Sequence, residues 1–254
     1  MPLADNNDNI SLNEDTSVQR GVQGQEWSAP VYGQSSQVRI DYQRAADCHL
    51  ILTDNMAGDK LNSIKIRRTR LLNLAREKGW RTILITSTHP GEGKTVTAIN
   101  LAFALAREHQ QTVVLVDGDL RNPCIADYLG FSVQHGLADY FQKEVSLNEI
   151  MVWPGVEKLV IVPGGRPIAD SAELIGSPEM QELVREMKDR YQDRYILFDF
   201  PPLLNVADTL AFLPHVDCVL MVVESGRTSP AEILQAKSWI PEEKLLGFVL
   251  NKTA

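Results

Sequence analysis

A glycine-rich loop between a predicted strand and a predicted helix constrains this chain more than any other feature. The loop follows the apolar run 83–85 and precedes a stretch in which apolar residues recur at helical spacing through Leu105. Glycines let backbone N–H groups close around phosphate oxygens, and a helix start adds unpaired N–H groups and partial positive charge. A strand, such a loop and a helix in this order are the context of a phosphate-binding P-loop. The loop sequence is Ser87-Thr88-His89-Pro90-Gly91-Glu92-Gly93-Lys94-Thr95.

These loop residues predict a site for ATP and Mg²⁺. Lys94 is placed to reach the outer phosphates, and the hydroxyl group of Thr95 is placed to bind Mg²⁺. A simple glycine turn is the alternative interpretation, which Gly-Lys-Thr alone would leave open. The apolar strand and helix on either side favour nucleotide binding. The predicted nucleotide-binding residues in this segment are Pro90, Gly91, Glu92, Gly93, Lys94, Thr95 and Val96.

The composition limits the class of protein. The chain has 254 residues and a net charge of −8, which argues against a nucleic-acid partner, since general nucleic-acid binders carry a basic surface. No apolar run approaches the roughly 20 residues that a membrane span needs, and no basic start with an apolar core indicates a signal peptide. The three cysteines are scattered, which disfavours a disulfide framework or a zinc site.

Strands and helices alternate from residue 81 onward, which predicts an α/β fold. The predicted strands are continuous apolar runs, as expected for strands covered by helices on both faces. Their order predicts right-handed crossovers and a mostly parallel central sheet flanked by helices, the three-layer fold of P-loop NTPases. Ligands then bind beyond the carboxyl ends of the strands. The predicted strands are 82–86, 112–116, 158–162, 195–198, 217–223 and 245–250, and one crossover helix is predicted at 180–191.

The first 37 residues differ in composition from the rest. They are rich in Asn, Asp, Gln, Ser and Gly and lack periodicity, so we predict a disordered leader over 1–37 and a P-loop kinase or ATPase domain over 38–254. A short helix and turn is expected over 40–52, and a longer helix over 60–78 carries many basic residues. These basic residues form either a solvated face or a contact surface for an acidic subunit or anionic lipid.

Two predicted strands end in aspartates at the ligand edge. One delivers Asp117 and Asp119, and another delivers Asp199. Mg²⁺ usually takes one or two carboxylates together with waters and phosphates. A lone aspartate after a strand is usually a turn residue or a helix cap, but two such strand ends beside a P-loop favour a metal site. The predicted metal ligands are Thr95, Asp117 and Asp199, and the predicted catalytic residues are Lys94, Asp117, Asp119 and Asp199.

Three further polar residues near this edge have open roles. Asn251, at the end of the last strand, either reads the edge of the adenine ring or occupies a turn. Arg121 pairs with a carboxylate or phosphate of the site, or forms a structural salt bridge. Asp208 supports the metal ligands or, as we favour, caps a helix.

Together, these motifs resemble the bacterial tyrosine kinases of capsule and exopolysaccharide loci, above all the tyrosine autokinases found beside exosortase-linked exopolysaccharide genes. That family belongs to the P-loop ATPases that include the MinD and ParA proteins. The resemblance covers residues 40–252 and rests mainly on the motifs at 86–95, 115–119, 198–202 and 250–252. It implies ATP-dependent phosphorylation of tyrosine.

The resemblance also implies residue roles, a partner and a location. Lys94 would bind phosphates, Thr95 would bind Mg²⁺, Asp199 would be the Walker B residue, and Asp117 or Asp119 would help to take the tyrosine proton. The implied partner is the cytoplasmic segment of a membrane-spanning polysaccharide co-polymerase of the Wzz-like kind. The implied location is the cytoplasm, at the inner face of the cell membrane.

Two departures from the family pattern alter these expectations. The family's oligomerisation helix carries Glu-x-x-Arg-x-x-Arg, but Asn62, Lys65 and Arg68 occupy these positions here, which predicts only weak homo-oligomers. Many members end in a tyrosine cluster, whereas no tyrosine follows Tyr195 in this sequence. We therefore expect self-phosphorylation to be weak and to fall on Tyr32 or Tyr42, in or beside the leader, or else on a partner's tyrosines.

A nucleotide-switched scaffold of the MinD or ParA type, without tyrosine kinase activity, is the alternative function. Such a protein would hydrolyse ATP slowly and change its grip on a partner. MinD and ParA proteins place an extra lysine early in the loop, and His89 occupies that position here. This difference favours the kinase.

Overall fold

The computed structural model describes residues 35–53, 58–109, 111–190 and 193–253. Among them, eight strands form one sheet, and each strand in its interior is an apolar run. The strands are β1 (Ser36–Gln37), β2 (Thr82–Ser87), β3 (Thr112–Asp117), β4 (Val152–Trp153), β5 (Leu159–Val162), β6 (Arg194–Asp199), β7 (Cys218–Glu224) and β8 (Leu245–Asn251).

The strands lie in the order β1-β4-β5-β3-β6-β2-β7-β8 across the sheet. Neighbouring strands are parallel except β4 and β5, which are antiparallel. The mostly parallel α/β fold predicted from the sequence is therefore confirmed. Helices are needed for this arrangement because parallel neighbours require crossover connections.

Ten α-helices connect and cover these strands within the described ranges. Among these helices, none is long and apolar enough to cross a membrane. The helices are α1 (Tyr42–Asp47), α2 (Gly58–Lys78), α3 (Lys94–Ala106), α4 (Ile125–Leu129), α5 (Leu137–Phe141), α6 (Leu147–Ile150), α7 (Ala172–Ile175), α8 (Pro178–Asp189), α9 (Asp208–Phe212) and α10 (Pro230–Ser238).

Side chains alternate between the two faces of the sheet and form two cores. In β2, Ile83 and Ile85 join one core and Leu84 joins the other, as the period of two in a strand requires. The first core includes residues of helices α1 to α4, such as Leu72 and Leu101. The second includes residues of α8 and α10. Three layers result, with the sheet in the middle.

All six predicted strands are present, with ends shifted by at most one residue. The predicted helix at 180–191 is α8, which begins earlier, at Pro178, because Ser177 caps it through the N–H of Met180. The leader prediction was wrong at its end, because Ser36–Gln37 pairs with β4 as strand β1. Residues 1–34 lie outside the described residues, so their predicted disorder stays a prediction.

Strands β2, β3 and β6 end together at one edge of the sheet. Asp199 lies opposite both Asp117 and Ile85 in the strand register. The loop after β2 therefore starts beside the ends of the two strands that carry the predicted aspartates. This edge holds the candidate site.

Candidate active site

The loop between β2 and α3 has the backbone of a phosphate-binding cradle. Gly91 and Gly93 have φ values of 85° and 94°, in the left-handed region that favours glycine. A Cβ atom on Gly93 would lie 2.2 Å from the side-chain nitrogen of Asn251. The close approach and the positive φ together require glycine at position 93. Helix α3 begins directly after it, so its first N–H groups face the loop.

Glu92 holds the loop from behind. Its side chain is 1% exposed, and one carboxylate oxygen accepts hydrogen bonds from the N–H groups of Thr88 (2.7 Å) and His89 (2.9 Å). The other oxygen accepts from the hydroxyl of Thr228. Because its carboxylate is used in this way, Glu92 can meet a phosphate only through its backbone. The prediction that Glu92 binds the nucleotide therefore applies to its backbone and not to its side chain.

Lys94 and Thr95 lie against the predicted aspartates. The ammonium nitrogen of Lys94 is 3.0 Å from Asp119 Oδ2 and 3.6 Å from Asp199 Oδ1. The hydroxyl of Thr95 donates to Asp199 Oδ2 at 2.6 Å. The structure thus brings together four of the predicted residues, from the loop and from two neighbouring strands.

Asp117 lies next to this group, but its hydrogen bonds join it to the start of α4. Its Oδ2 accepts from the backbone N–H groups of Cys124 (2.8 Å) and Ile125 (2.9 Å), at the start of α4. Its Oδ1 is buried and has no hydrogen-bond partner among the described residues, and Asp199 Oδ1 likewise has none, although it forms the longer ion pair with Lys94. Buried carboxylate oxygens without partners are unusual, because leaving them unpaired costs free energy.

The electrostatics of the site reflect crowded negative charge. Burial, and then the neighbouring carboxylate of Asp199, raises the pKa of Asp117 to about 7. Burial also raises the pKa of Asp199, against the opposing effect of Lys94. For Lys94, burial favours the neutral amine, but Asp199 and Asp119 outweigh it and raise its pKa above the ordinary value. One ammonium group does not balance three carboxyl groups, so the site suits an added cation.

The residues fit a magnesium ion. Thr95 supplies a hydroxyl, Asp199 and Asp117 each supply a buried oxygen that has no hydrogen-bond partner, and all three are oxygen ligands of the kind that Mg²⁺ prefers. The sequence-based choice of these three residues therefore has a geometric basis, although their role in metal binding stays a prediction.

A cavity of about 1160 Å³ opens above these groups. Asp117 and Asp199 lie beneath its floor, with 1% and 0% exposure, whereas Asp119 lines it. Asn251 also lines the cavity, and its side-chain nitrogen donates to the carbonyl oxygen of Glu92 at 2.9 Å. This hydrogen bond connects Asn251 to the loop. The predicted contact of Asn251 with adenine stays a prediction. Other predicted residues in its lining are Pro90, Gly91, Gly93, Lys94, Thr95 and Val96.

Comparison with known proteins identifies the family. A family model described as an AAA domain matches residues 80–236. The tyrosine-protein kinase YwqD of Bacillus subtilis (strain 168) is 32% identical over 195 residues, which cover 75% of this chain and 81% of YwqD. The chain belongs to the bacterial tyrosine kinases. Its P-loop fold is shared with the MinD proteins.

Two further relatives place this kinase in context. The succinoglycan biosynthesis transport protein ExoP of Rhizobium meliloti (strain 1021) is 34% identical over 185 residues, or 68% of this chain, which spans only 22% of ExoP. The crystal structure of the VpsO kinase domain superposes with a TM-score of 0.68 at 27% identity, covering 77% of this chain and 97% of that domain. The match extends over nearly the whole of that kinase domain.

The structure settles two residues whose roles the sequence left open. Arg121 forms a salt bridge with Asp208, with its Nε 3.0 Å from Asp208 Oδ1, so the structural interpretation of Arg121 is confirmed. Our preferred role for Asp208, a helix cap, was wrong. Ala207 occupies the cap position of α9, and the buried Asp208 carboxylate accepts from Arg121 and from the hydroxyl of Ser171.

Two residues of the site were missed from the sequence. The sulfur of Cys124 lies 3.7 Å from the Thr95 hydroxyl, and burial, with Asp117 and Asp199, raises the pKa of this thiol to about 12. Tyr128, one turn further along α4, lines the cavity. Helix α4, which follows Asp117 and Asp119, is too short to have a sequence pattern of its own, so no signal pointed to either residue.

Proposed function

We propose that this kinase transfers the γ-phosphoryl group of ATP to tyrosine with Mg²⁺ as cofactor, and that it acts in the synthesis or export of an exopolysaccharide. The observation that carries the proposal is the joint placement of Lys94 and Thr95 against Asp119 and Asp199. The similarity to YwqD supports the activity, and the similarity to ExoP, a succinoglycan biosynthesis transport protein, supports the process.

Different residues of the site are assigned to phosphate binding and to proton acceptance in phosphoryl transfer. A tyrosine hydroxyl has an ordinary pKa of about 10, so it needs a positioned proton acceptor as it attacks. We assign this role to Asp119, because it lines the cavity while Asp117 and Asp199 lie beneath it. When the ammonium group of Lys94 pairs with phosphate oxygens, it releases Asp119 for this task.

Thr95 and Asp199, with Asp117 behind them, are the residues that we assign to hold Mg²⁺. When bound, the ion neutralises negative charge on the β- and γ-phosphates. The loop N–H groups and the start of α3 orient the same phosphates, and the hydrogen bonds of Glu92 to Thr88 and His89 keep the loop in shape beforehand.

Incubation of the purified protein with Mg-ATP, followed by site-resolved phosphopeptide mass spectrometry, tests the activity. Among the described tyrosines, Tyr195 is buried, whereas Tyr42 is 51% exposed at the start of α1. Tyr32 lies outside the described residues. We expect weak self-phosphorylation, mainly on Tyr32 or Tyr42, because an exposed acceptor such as Tyr42 can enter a site without leaving the packing of the core. Strong phosphorylation that persists in a Tyr32→Phe/Tyr42→Phe double variant would show that the acceptor lies elsewhere.

The nucleotide-switched scaffold is the competing function. In MinD and ParA proteins the early loop lysine reaches across a dimer, but His89 at that position binds Glu232 of its own chain, with Nε2 2.9 Å from Oε1. This contact supports the kinase. ATP hydrolysis without phosphotyrosine on the protein or on a co-polymerase would instead support the switch.

The outer face of α2 is our proposed contact for a partner. Ile66 and Leu74 are 55% and 40% exposed there, and Lys65 and Arg70 lie beside Ile66. A face that combines cations with apolar side chains suits an acidic, amphipathic segment, which we propose is the cytoplasmic part of a polysaccharide co-polymerase. Asn62 provides no acidic group for a second copy, so self-association is expected to be weak.

Reversing charge on this face tests the partner proposal. A Lys65→Glu/Arg70→Glu variant should bind the co-polymerase segment at least about tenfold more weakly, because charge attraction becomes repulsion. Calorimetry measures the affinity, and Lys237→Glu, on the exposed side of α10, is the matched control. Equal affinity in all three proteins, or a stable ring of the free protein in light scattering, would contradict the proposal.

A further inference from the structure

The cavity extends well beyond the phosphate-binding loop. Its volume of about 1160 Å³ exceeds the roughly 300–1,000 Å³ that suffice for most small ligands. Beyond the loop and α3, its lining continues with His49 and with residues of α2 and α4, which are Asp59, Lys60, Ser63, Arg67 and Tyr128. We call these six residues the α2 lobe.

The α2 lobe contains two cationic side chains, Lys60 and Arg67, and one carboxylate, Asp59. Lys60, Ser63 and Arg67 are spaced three and four residues apart, so they lie on one face of α2. No ion pair within the described residues involves Lys60 or Arg67. The neighbouring Arg68, by contrast, binds Glu108 at 2.7 Å on another side of the helix. Lys60 and Arg67 outnumber Asp59, so the lobe carries a net positive charge in a chain whose net charge is −8.

Arg67 is half-buried in this lobe. Burial lowers the pKa of its guanidinium group, which means that water solvates the charge less well than at an open surface. A partly desolvated cation is unfavourable unless an anion pairs with it. We have assigned the nucleotide phosphates to Lys94, Thr95 and the loop N–H groups, and within the described ranges no hydrogen bond or ion pair joins Arg67 to Lys94 or Thr95. Arg67 is therefore available to pair with an anion other than these phosphates.

We propose that the α2 lobe binds the acceptor peptide, and that Arg67, aided by Lys60, pairs with a carboxylate next to the target tyrosine. The inference rests on the proposed kinase function and specifies its substrate class: tyrosines with acidic neighbours. The chain's own sequence agrees, because Tyr42, Tyr128 and Tyr140 each directly follow an aspartate. A guanidinium group suits this task because it binds carboxylates in a bidentate, planar geometry.

Two matched peptides test the inference, one with aspartates on both sides of a single tyrosine and one with asparagines in their place. The wild-type protein should show a KM about tenfold lower for the aspartate peptide, since a guanidinium group binds a carboxylate more strongly than it binds a neutral amide. Arg67→Gln should abolish this preference and leave the KM for ATP unchanged. Arg67→Lys should restore part of it, and Arg67→Glu should make the asparagine peptide the better substrate.

Arg76→Gln is the matched control, because Arg76 is an exposed arginine in the last turn of the same helix and lines neither the α2 lobe nor the proposed partner face. It should retain the full preference for the aspartate peptide. An unchanged preference in Arg67→Gln, or a rise in the KM for ATP in its place, would overturn the α2 lobe as a peptide site. If the wild-type protein phosphorylates neither peptide nor itself, the kinase proposal fails and this inference falls with it.

Discussion

Lys94→Met is expected to raise the Kd for Mg-ATP by about 30- to 150-fold. The ammonium group of Lys94 is the cation at the start of α3 that can pair with phosphate oxygens, and such charged hydrogen bonds contribute about 2–3 kcal/mol. Methionine keeps most of the buried aliphatic stem, which limits the damage to packing. Isothermal titration calorimetry with a non-hydrolysable ATP analogue measures the change.

The ion pairs of Lys94 set the control for this experiment. Lys94 also neutralises Asp119 and Asp199, so its removal leaves two carboxylates without their partner. Thermal unfolding of Lys94→Met must therefore be measured beside its affinity. Lys237→Met, on the exposed side of α10, should bind ATP as the wild type does. Equal affinity of wild type and Lys94→Met would remove the P-loop assignment.

Asp199→Asn is expected to lower kcat by about 100-fold or more while the Kd for ATP changes only a few-fold. An amide oxygen can still accept the hydrogen bond from Thr95, so the fold around the loop should persist. What is lost is negative charge at the metal, and such electrostatic groups act mainly on the transition state. Single-turnover phosphotransfer, with affinity measured separately, divides the two effects.

Asp117→Asn should also lower turnover more than binding, for a related reason. Its unpartnered Oδ1 is the second buried carboxylate oxygen beside the Thr95–Asp199 pair. Asp189→Asn, at the exposed end of α8, is the control for loss of one negative charge far from the site. Turnover within a few-fold of wild type in both Asp199→Asn and Asp117→Asn would place the metal elsewhere.

The P-loop, six of the eight described strands and the two aspartate motifs could be predicted from the sequence alone. Each depends on residues that are close together in the chain. An apolar run makes a buried strand, glycines permit the left-handed backbone at positions 91 and 93, and parallel strands must end at one edge. The juxtaposition of Lys94 and Thr95 with Asp199 follows from those local rules and the topology they impose.

Contacts between distant parts of the chain were decided only by the tertiary structure. Glu92 meets Thr228, 136 residues away, and Asn251 meets Glu92 across 159 residues, so neither bond leaves a trace in local sequence. The same holds for the pairing of Asp208 with Arg121. From its place in the sequence, Asp208 was predicted to cap a helix. Strand β1 is two residues long and acquires its conformation only by pairing with β4.

The α2 lobe is the clearest example of a feature that only the tertiary structure determines. Periodicity predicts a basic helix over 60–78, but it does not say which of its cations face solvent and which face the nucleotide cavity. That choice depends on how α2 packs on α3, because packing turns one side of the helix toward the loop. Helical spacing is a local property, whereas the direction of a side chain relative to a distant site is set by the whole fold.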